Sequence, residues 1–185
     1  MILPIVAYGS KVLRKSCSEI SSLYIDLDIL IKNMFETMYA ASGVGLAAPQ
    51  VNKSLRLFIV DTSPFLDTEN PDHIVCKKIF INPRILSLSG DTWYFNEGCL
   101  SIPDIREDIQ RFSNITIEYF DEDFKKMTED FSGLNARVIL HEYDHIEGIL
   151  FTDKISALRK RMIKGKLLDI SNGKFDTKYN LRVIG

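Results

Sequence analysis

The sequence has few of the features that mark secreted or membrane-bound proteins. Three cysteines occur among 185 residues, and such an odd, sparse set provides no disulfide framework. No apolar run is long enough to span a bilayer, and the first residues lack the basic start and long apolar stretch of a secretory signal. We therefore expect a cytoplasmic chain that makes no contact with a membrane.

Histidine is also scarce, since His73, His141 and His145 are the only three. Any site built on histidine must therefore use these positions. Hydrophobic residues make up 45% of the chain and charged residues 26%, which are ordinary values for a globular protein. The length suits one compact core, and no repeat or linker interrupts it, so a single domain over 1–185 is the simplest interpretation.

The net charge of -2 is unevenly distributed. Residues 153–185 contain nine Lys or Arg and three Asp, a net of +6. A basic C-terminal helix and tail on an acidic body indicates a polyanionic partner for the tail. A solvated helix face that binds nothing is at least as good an interpretation, and nothing in the sequence indicates DNA binding.

Apolar spacing predicts three helices, over 24–41, 134–147 and 156–170. Strand-forming segments lie at 55–60, 76–82, 84–89, 91–101, 114–120 and 125–131, residues 63–73 are typical of a surface loop, and 181–184 is either a strand or a loose tail. Strands gathered in the middle with helices at separate positions predict an α+β fold. We expect antiparallel or mixed strands around the second helix, with the third helix near the C-terminus.

The second predicted helix carries H-E-Y-D-H at 141–145, which fits the pattern H-E-x-x-H. Its two histidines are one turn apart, so both imidazoles can reach one metal ion. Glu142 lies beside them, where a carboxylate can take a proton from water that the metal acidifies. Leu134 and Val138 continue the histidine face and would direct it towards the interior. This pattern favours a metal site over an exposed polar turn.

A catalytic metal usually takes three protein ligands and leaves one position open. Phe151 stands where one class of zinc peptidases has a third histidine, and no Glu follows Glu147 to serve as in a second class. Cys99 is the best candidate for the missing ligand, because thiolate binds zinc or iron(II) strongly. Gly98 beside it allows a close approach of the backbone. Taken alone, Cys99 would more simply be a core residue.

The segment G-V-G-L-A-A-P-Q at 43–50 is rich in small residues, which would let a substrate approach the main chain or let a helix and a strand pack tightly. Together with E-G-C-L-S at 97–101 and the motif at 141–145, it resembles the three signature motifs of peptide deformylases. The motifs occur in the family's order and at comparable separations. The resemblance covers about 1–155 closely and the tail more loosely.

This resemblance implies a metal-dependent hydrolase that removes the N-formyl group from formylmethionine at the start of new polypeptides, releasing formate. It implies one divalent ion, usually iron(II), with zinc, nickel or cobalt as substitutes. The implied ligands are Cys99, His141 and His145. Glu142 would be the general acid and base, and the formyl oxygen would be bound by Gln50 and the backbone N–H of Leu100.

The resemblance also implies that the substrate peptide runs as an added strand. The substrate-binding positions would be Val44, Gly45, Gly98 and Arg106. A pocket for the methionine side chain should be apolar, and we expect it to be lined by Val44, Phe95, Leu134 and Val138, although core packing is the alternative for each.

Two other functions fit parts of the pattern. A metallopeptidase that cleaves internal peptide bonds would share the histidine motif but lacks its usual third ligand here. A non-catalytic module with a structural metal would need a fourth protein ligand, for which Cys17, Cys76 and His73 are available without supporting spacing. The basic tail could dock on ribosomal RNA in either an enzyme or such a module.

Overall fold

A computed structural model describes residues 1–66 and 74–185, so His73 and most of the predicted loop at 63–73 lie outside the described residues. The helices are α1 (Leu27–Ala40), α2 (Gly133–Ile146) and α3 (Ala157–Ser171). The strands are β1 (Ile5–Val6), β2 (Gly45–Ala47), β3 (Leu57–Asp61), β4 (Lys77–Cys99), β5 (Ile102–Phe120), β6 (Lys126–Ser132) and β7 (Leu181–Arg182). All three predicted helices are present, and their ends differ by at most three residues from those predicted.

The strands form two sheets. Five of them make an antiparallel sheet in the order β2-β3-β4-β5-β6, and β1 pairs with β7 in a small parallel sheet. This arrangement, with helices at separate positions along the chain, confirms the predicted α+β class. Among residues 1–66 and 74–185, no helix has both the length and the apolar character needed to cross a bilayer.

The large sheet is covered by a helix on each face near β3. Phe58 and Val60 of β3 pack in the cluster that contains the apolar side of α2. Leu57 and Ile59 alternate with them and pack in the cluster that contains α1. Alternate residues of a strand point to opposite faces, so a strand covered on both sides is apolar throughout. This burial fixes α2, which carries the histidine motif, against the sheet.

The hairpin of β4 and β5 is longer than the sequence suggested. The segments predicted at 76–82, 84–89 and 91–101 are one strand of 23 residues, whose pairing with β5 shifts register at four places. Asn82 and Gly90 have positive φ values of 49° and 77° within it. These irregularities bend the strand without ending it, which is why the pattern appeared as three pieces.

The prediction for β5 was wrong at its start, since the strand begins at Ile102 rather than at 114. Its first half buries alternate residues, but two of these are the charged Glu107 and Arg111. Charged residues on the inner face hide the alternation of apolar and polar residues from which a strand is predicted. These charges are buried because each has a partner in the folded chain. The partners are not evident from the sequence, so this part of the strand was missed.

The C-terminal part of the chain packs against the start of β5. Ile163, Leu167 and Ile170 of α3 belong to a cluster that also contains Ile102 and Leu181. The segment predicted as either a strand or a loose tail is a strand at Leu181–Arg182, paired in parallel with β1. The polypeptide therefore returns from α3 towards the N-terminus, passing close to the end of β4.

Candidate metal centre

Three potential metal ligands converge where the end of β4 meets α2. The ligand atoms of Cys99, His141 and His145 all lie within 4.8 Å of one another. Cys99 Sγ lies 3.2 Å from His145 Nε2, and the two imidazole rings are 5.1 Å apart between centroids. Cys99, which precedes the two histidines by 42 and 46 positions in the sequence, thus presents its sulfur to the same point as their ring nitrogens.

His141 is oriented by a buried carboxylate that the sequence did not identify as functional. Glu97, which is 4% exposed, lies 2.9 Å from His141 Nδ1 through its Oε2. A hydrogen bond donated by Nδ1 leaves Nε2 of the same ring free to ligate a metal, and such bonds fix the tautomer of metal-binding histidines. The only sequence signal for Glu97 was its position in the motif two residues before Cys99.

Two buried arginines complete the hydrogen bonding of Glu97. Arg111 donates to both carboxylate oxygens, at 2.7 and 2.9 Å, and Arg137 Nη1 donates to Oε1 at 3.0 Å. Burial raises the pKa of Glu97, but the hydrogen bonds from Arg111 and His141 outweigh it and hold that pKa well below its ordinary value. The carboxylate therefore stays ionised and can hold the imidazole in place.

The other acids of the helix motif are engaged elsewhere. Asp144 accepts a hydrogen bond from Arg111 at 2.7 Å and pairs with Lys154 at 3.2 Å. Glu147 pairs with Arg56 at 2.7 Å. Both carboxylates are therefore paired with cationic side chains, which leaves Cys99 as the third candidate ligand beside the two histidines.

These residues fit one divalent cation of the borderline type. A thiolate and two imidazoles are the donor set that zinc and iron(II) accept, and three protein ligands leave a position for water or substrate. Buried polar atoms without a partner are rare. The three such side-chain atoms found in the described residues are Arg137 Nε, Glu142 Oε2 and His145 Nδ1, and all belong to this site or its border.

Glu142 lies next to His141 on α2. It is 4% exposed, and burial raises its pKa to about 7. Gly45 of β2 lies against it so closely that a Cβ there would be 2.8 Å from Glu142 Cγ and Cδ. The absence of a side chain at position 45 therefore makes room for the carboxylate, which explains one of the small residues in the 43–50 segment.

Gln50 is held so that its amide nitrogen faces the same centre. Its Oε1 accepts a hydrogen bond from the Ala47 backbone N–H at 2.9 Å. Its Nε2 then lies 3.5 Å from Cys99 Sγ and 3.2 Å from Ser101 Oγ. The amide nitrogen therefore lies beside the short loop of Leu100 and Ser101 that joins β4 to β5.

A cleft of about 760 Å³ opens beside these groups. Its lining contains all four predicted substrate-binding residues, which are Val44, Gly45, Gly98 and Arg106. Of the predicted methionine pocket, Phe95 and Val138 line the cleft with Val44, whereas Leu134 is not among its lining residues. Helical spacing places Leu134 on the histidine face of α2, but it does not show how far the cleft extends along that face.

Among the lining residues that sequence reasoning missed are Phe65, Arg137 and the segment 176–179. Phe65 and segment 176–179 are distant from the motifs in the chain and carried no recognisable pattern. Arg137 lies four residues before His141 on α2, so its helical position was a usable signal. Its guanidinium lies over the ring of Trp93, 4.4 Å from the centroid, which joins the helix to β4.

Comparison with known proteins identifies the family. The family model described as Polypeptide deformylase matches residues 2–161. The chain belongs to the polypeptide deformylase family. The enzymes of this family are metal-dependent hydrolases that remove the N-formyl group from nascent polypeptides, so the fold and function implied by the three motifs are confirmed.

Curated relatives match the chain over nearly its whole length. The peptide deformylase of Christiangramia forsetii is 56% identical, with 98% of this chain and 96% of the relative covered. That of Flavobacterium psychrophilum is also 56% identical, with 100% and 98% covered. Among solved structures, a plant peptide deformylase PDF1B matches with a TM-score of 0.82 and 31% identity, covering 92% of this chain and 90% of that one. An inhibitor complex of the Plasmodium falciparum enzyme matches with a TM-score of 0.78 and 33% identity, covering 91% and 99%.

Removing the Glu97 side chain should destabilise the deformylase fold. We expect Glu97→Ala to lower the free energy of unfolding by about 3 kcal/mol or more, because it leaves Arg111 and Arg137 as buried charges without their partner. Urea unfolding of the metal-free protein, followed by the fluorescence of Trp93, measures this. The exposed Glu19, which pairs with Arg84 at 2.6 Å, is the control, since Glu19→Ala should cost less than about 1 kcal/mol. An equal loss of unfolding free energy in the two variants would contradict the role of Glu97 as the partner of the two buried arginines.

Proposed function

We propose that this chain deformylates N-formylmethionyl polypeptides with the residues gathered at the end of β4 and on α2. In this proposal the metal ligands are Cys99, His141 and His145, Glu142 transfers protons, and the formyl oxygen is bound by Gln50 and Leu100. The observation that carries it is the convergence of one thiol and two imidazoles within 4.8 Å beside a buried carboxylate.

Proton transfer is assigned to Glu142. When bound, a divalent cation supplies Lewis acidity to the attacking water and to the formyl carbonyl. Glu142 accepts a proton from that water as its oxygen attacks the formyl carbon. The same carboxyl group then donates the proton to the departing amine nitrogen, so formate and a free N-terminus leave. A pKa raised by burial to about 7 suits a group that must both accept and release a proton.

The developing negative charge on the formyl oxygen needs donors that are already in place. Gln50 Nε2 is oriented by the bond from Ala47 N–H to its own Oε1. The backbone N–H of Leu100 follows directly after the ligand Cys99. Because both donors lie on short, held segments, they would stabilise the oxyanion without rearranging during the reaction.

The edge of the sheet offers a binding position for the substrate backbone. β2 is the outermost strand of the five-stranded sheet, with β3 on its other side, so a peptide can add to its free edge. In this proposal Val44 and Gly45 present that edge. Gly98 and Arg106 form the opposite wall, where a Cβ at position 98 would be 2.8 Å from Arg106 Nη1.

We propose iron(II) as the native ion, with zinc, nickel or cobalt able to replace it. The donor set of one thiolate and two imidazoles accepts each of these ions. The proposal for iron rests on the family resemblance.

Formate release from a formylmethionyl peptide tests the proposed function. We expect formate in equimolar amount with a new free amine, and no cleavage of casein under the same conditions. Casein fragments without formate would favour the metallopeptidase alternative and contradict the proposal.

We also propose that residues 1–185 form a single domain and that the protein is cytoplasmic. We propose further that its basic C-terminal tail contacts the ribosome. In α3, Arg159 forms an ion pair with Glu107, with 2.8 Å between Arg159 Nη2 and Glu107 Oε1. Arg161, Lys164 and Lys166 are exposed and take part in none of the ion pairs found in the described part of the chain. Three free positive charges on one helix would suit the phosphates of ribosomal RNA.

Neutralising these charges should weaken sedimentation with ribosomes. We expect the triple variant Arg161→Gln, Lys164→Gln, Lys166→Gln to bind about tenfold less tightly at low salt, with a smaller salt dependence. A matched triple change of exposed lysines elsewhere, at Lys11, Lys32 and Lys53, should leave binding unchanged. Equal binding by both variants would leave the tail as a solvated helix face.

A further inference from the structure

The segment between α3 and β7 is anchored rather than free. β7 pairs with β1, and the Asn180 carbonyl accepts a hydrogen bond from Ile5 N–H at 2.8 Å. Thr177 Oγ1 donates to the Tyr179 carbonyl at 2.7 Å, which fixes the turn just before the strand. Residues 176–179 are thereby held as one wall of the cleft that also contains the metal ligands.

Tyr179 reaches from this wall to the loop that joins β4 to β5. Its hydroxyl donates a hydrogen bond to the Leu100 carbonyl at 2.8 Å, across 79 positions of sequence. Burial raises the pKa of Tyr179 to about 12, so the hydroxyl keeps the proton that it donates. The contact therefore persists at any pH at which the enzyme would work.

The same loop is held from two other directions. Tyr8 N–H donates to the Ser101 carbonyl at 2.8 Å, and Gln50 Nε2 lies 3.2 Å from Ser101 Oγ. Both of these contacts act on Ser101. Among these three hydrogen bonds, the bond from Tyr179 is the one that reaches Leu100, the residue whose N–H is proposed to bind the formyl oxygen.

We propose that Tyr179 is a positioning residue for deformylation, which holds the Cys99–Ser101 loop so that the Leu100 N–H is aimed at the formyl oxygen. This inference rests on the proposed role of Leu100. The C-terminal segment would then contribute to the chemical step and not only to packing. Its effect should appear in the transition state, where charge develops on that oxygen.

The test is Tyr179→Phe in the zinc-loaded enzyme, which removes one hydroxyl and keeps the ring. Complete loss of an oxyanion donor costs about 10²–10³ in kcat. Because the Leu100 N–H is displaced here and not removed, we expect kcat to fall about three- to tenfold, with KM within about twofold. The melting temperature and zinc content should match the wild type, and the ¹⁵N-labelled Leu100 amide resonance should shift.

Tyr24→Phe is the matched control, since Tyr24 lies ahead of α1 and is 37% exposed; it should match the wild type in every measurement. An unchanged kcat for Tyr179→Phe would overturn the inference. A loss confined to KM would do so too, because it would make the segment a wall for substrate binding only. If the wild type itself released no formate, the proposed function would fail, and the Leu100 resonance would still decide whether Tyr179 positions the loop.

Discussion

Glu142→Gln is expected to lower kcat for formate release by about a thousandfold while leaving the metal bound. General acid–base catalysis by one positioned group typically contributes 10²–10⁴, and Glu142 is assigned both proton transfers. Glutamine keeps the shape of the side chain in the space beside Gly45 but cannot accept the proton. Steady-state kinetics with a formylmethionyl peptide, together with the metal content of each sample, measure the effect.

Glu147→Gln is the matched control for this substitution. Glu147 directly follows α2 and pairs with Arg56 at 2.7 Å, outside the metal centre. We expect its kcat to stay within about twofold of the wild type, since an ion pair near the surface contributes little to the site. A Glu142→Gln enzyme that retained its metal and more than a tenth of the wild-type kcat would refute the assigned role.

Cys99→Ala should weaken metal binding by more than about a hundredfold. Loss of a hydrogen-bond partner behind a ligand already costs about 10- to 100-fold in affinity, and here the ligand itself is removed. Competition titration of the metal-free protein with Zn²⁺ measures the change. Cys76→Ala is the control, because Cys76 lies in the core cluster with Phe80 and should bind Zn²⁺ as the wild type does.

The same cysteine should make an iron form sensitive to air. Burial raises the pKa of both Cys17 and Cys76 to about 11, so these thiols stay neutral and react slowly. A thiolate at Cys99 on iron(II) is the expected target of oxidation. We expect the iron-loaded enzyme to lose activity in air faster than the zinc-loaded enzyme, and an iron-loaded sample that stays fully active would count against iron as the native ion.

Much of the candidate site followed from local pattern. The spacing of His141 and His145 fixes two imidazoles on one side of a helix, whatever the rest of the fold does. The removal of two peptidase alternatives needed only Phe151 and the absence of a later Glu. Cys99 as third ligand was favoured by its chemistry, and the family motifs strengthened it.

Contacts between segments that are distant in the sequence could not be predicted from local patterns of this kind. Glu97 and Arg111 are buried charges, and a charged residue in sequence predicts exposure unless its partner is known. These two residues meet because β4 and β5 pair side by side, and the buried charges of β5 also concealed the first half of that strand. For Leu134, local pattern predicted too much. Helical spacing placed it on the histidine face, but only the structure shows that it is not among the residues that line the cleft.

The sequence by itself determined the α+β class, and it predicted the donor set and the proton-transfer group from residue type, from the spacing of the histidine motif and from the family motifs that include Cys99. Only the tertiary structure decided how the set is assembled: the meeting of Cys99 with α2, the bond from Glu97 to His141, and the contact of Tyr179 with Leu100. The physical reason is that these contacts join segments that are distant in the sequence and that meet only when the whole chain packs. The periodicity of a single element contains no information about such contacts.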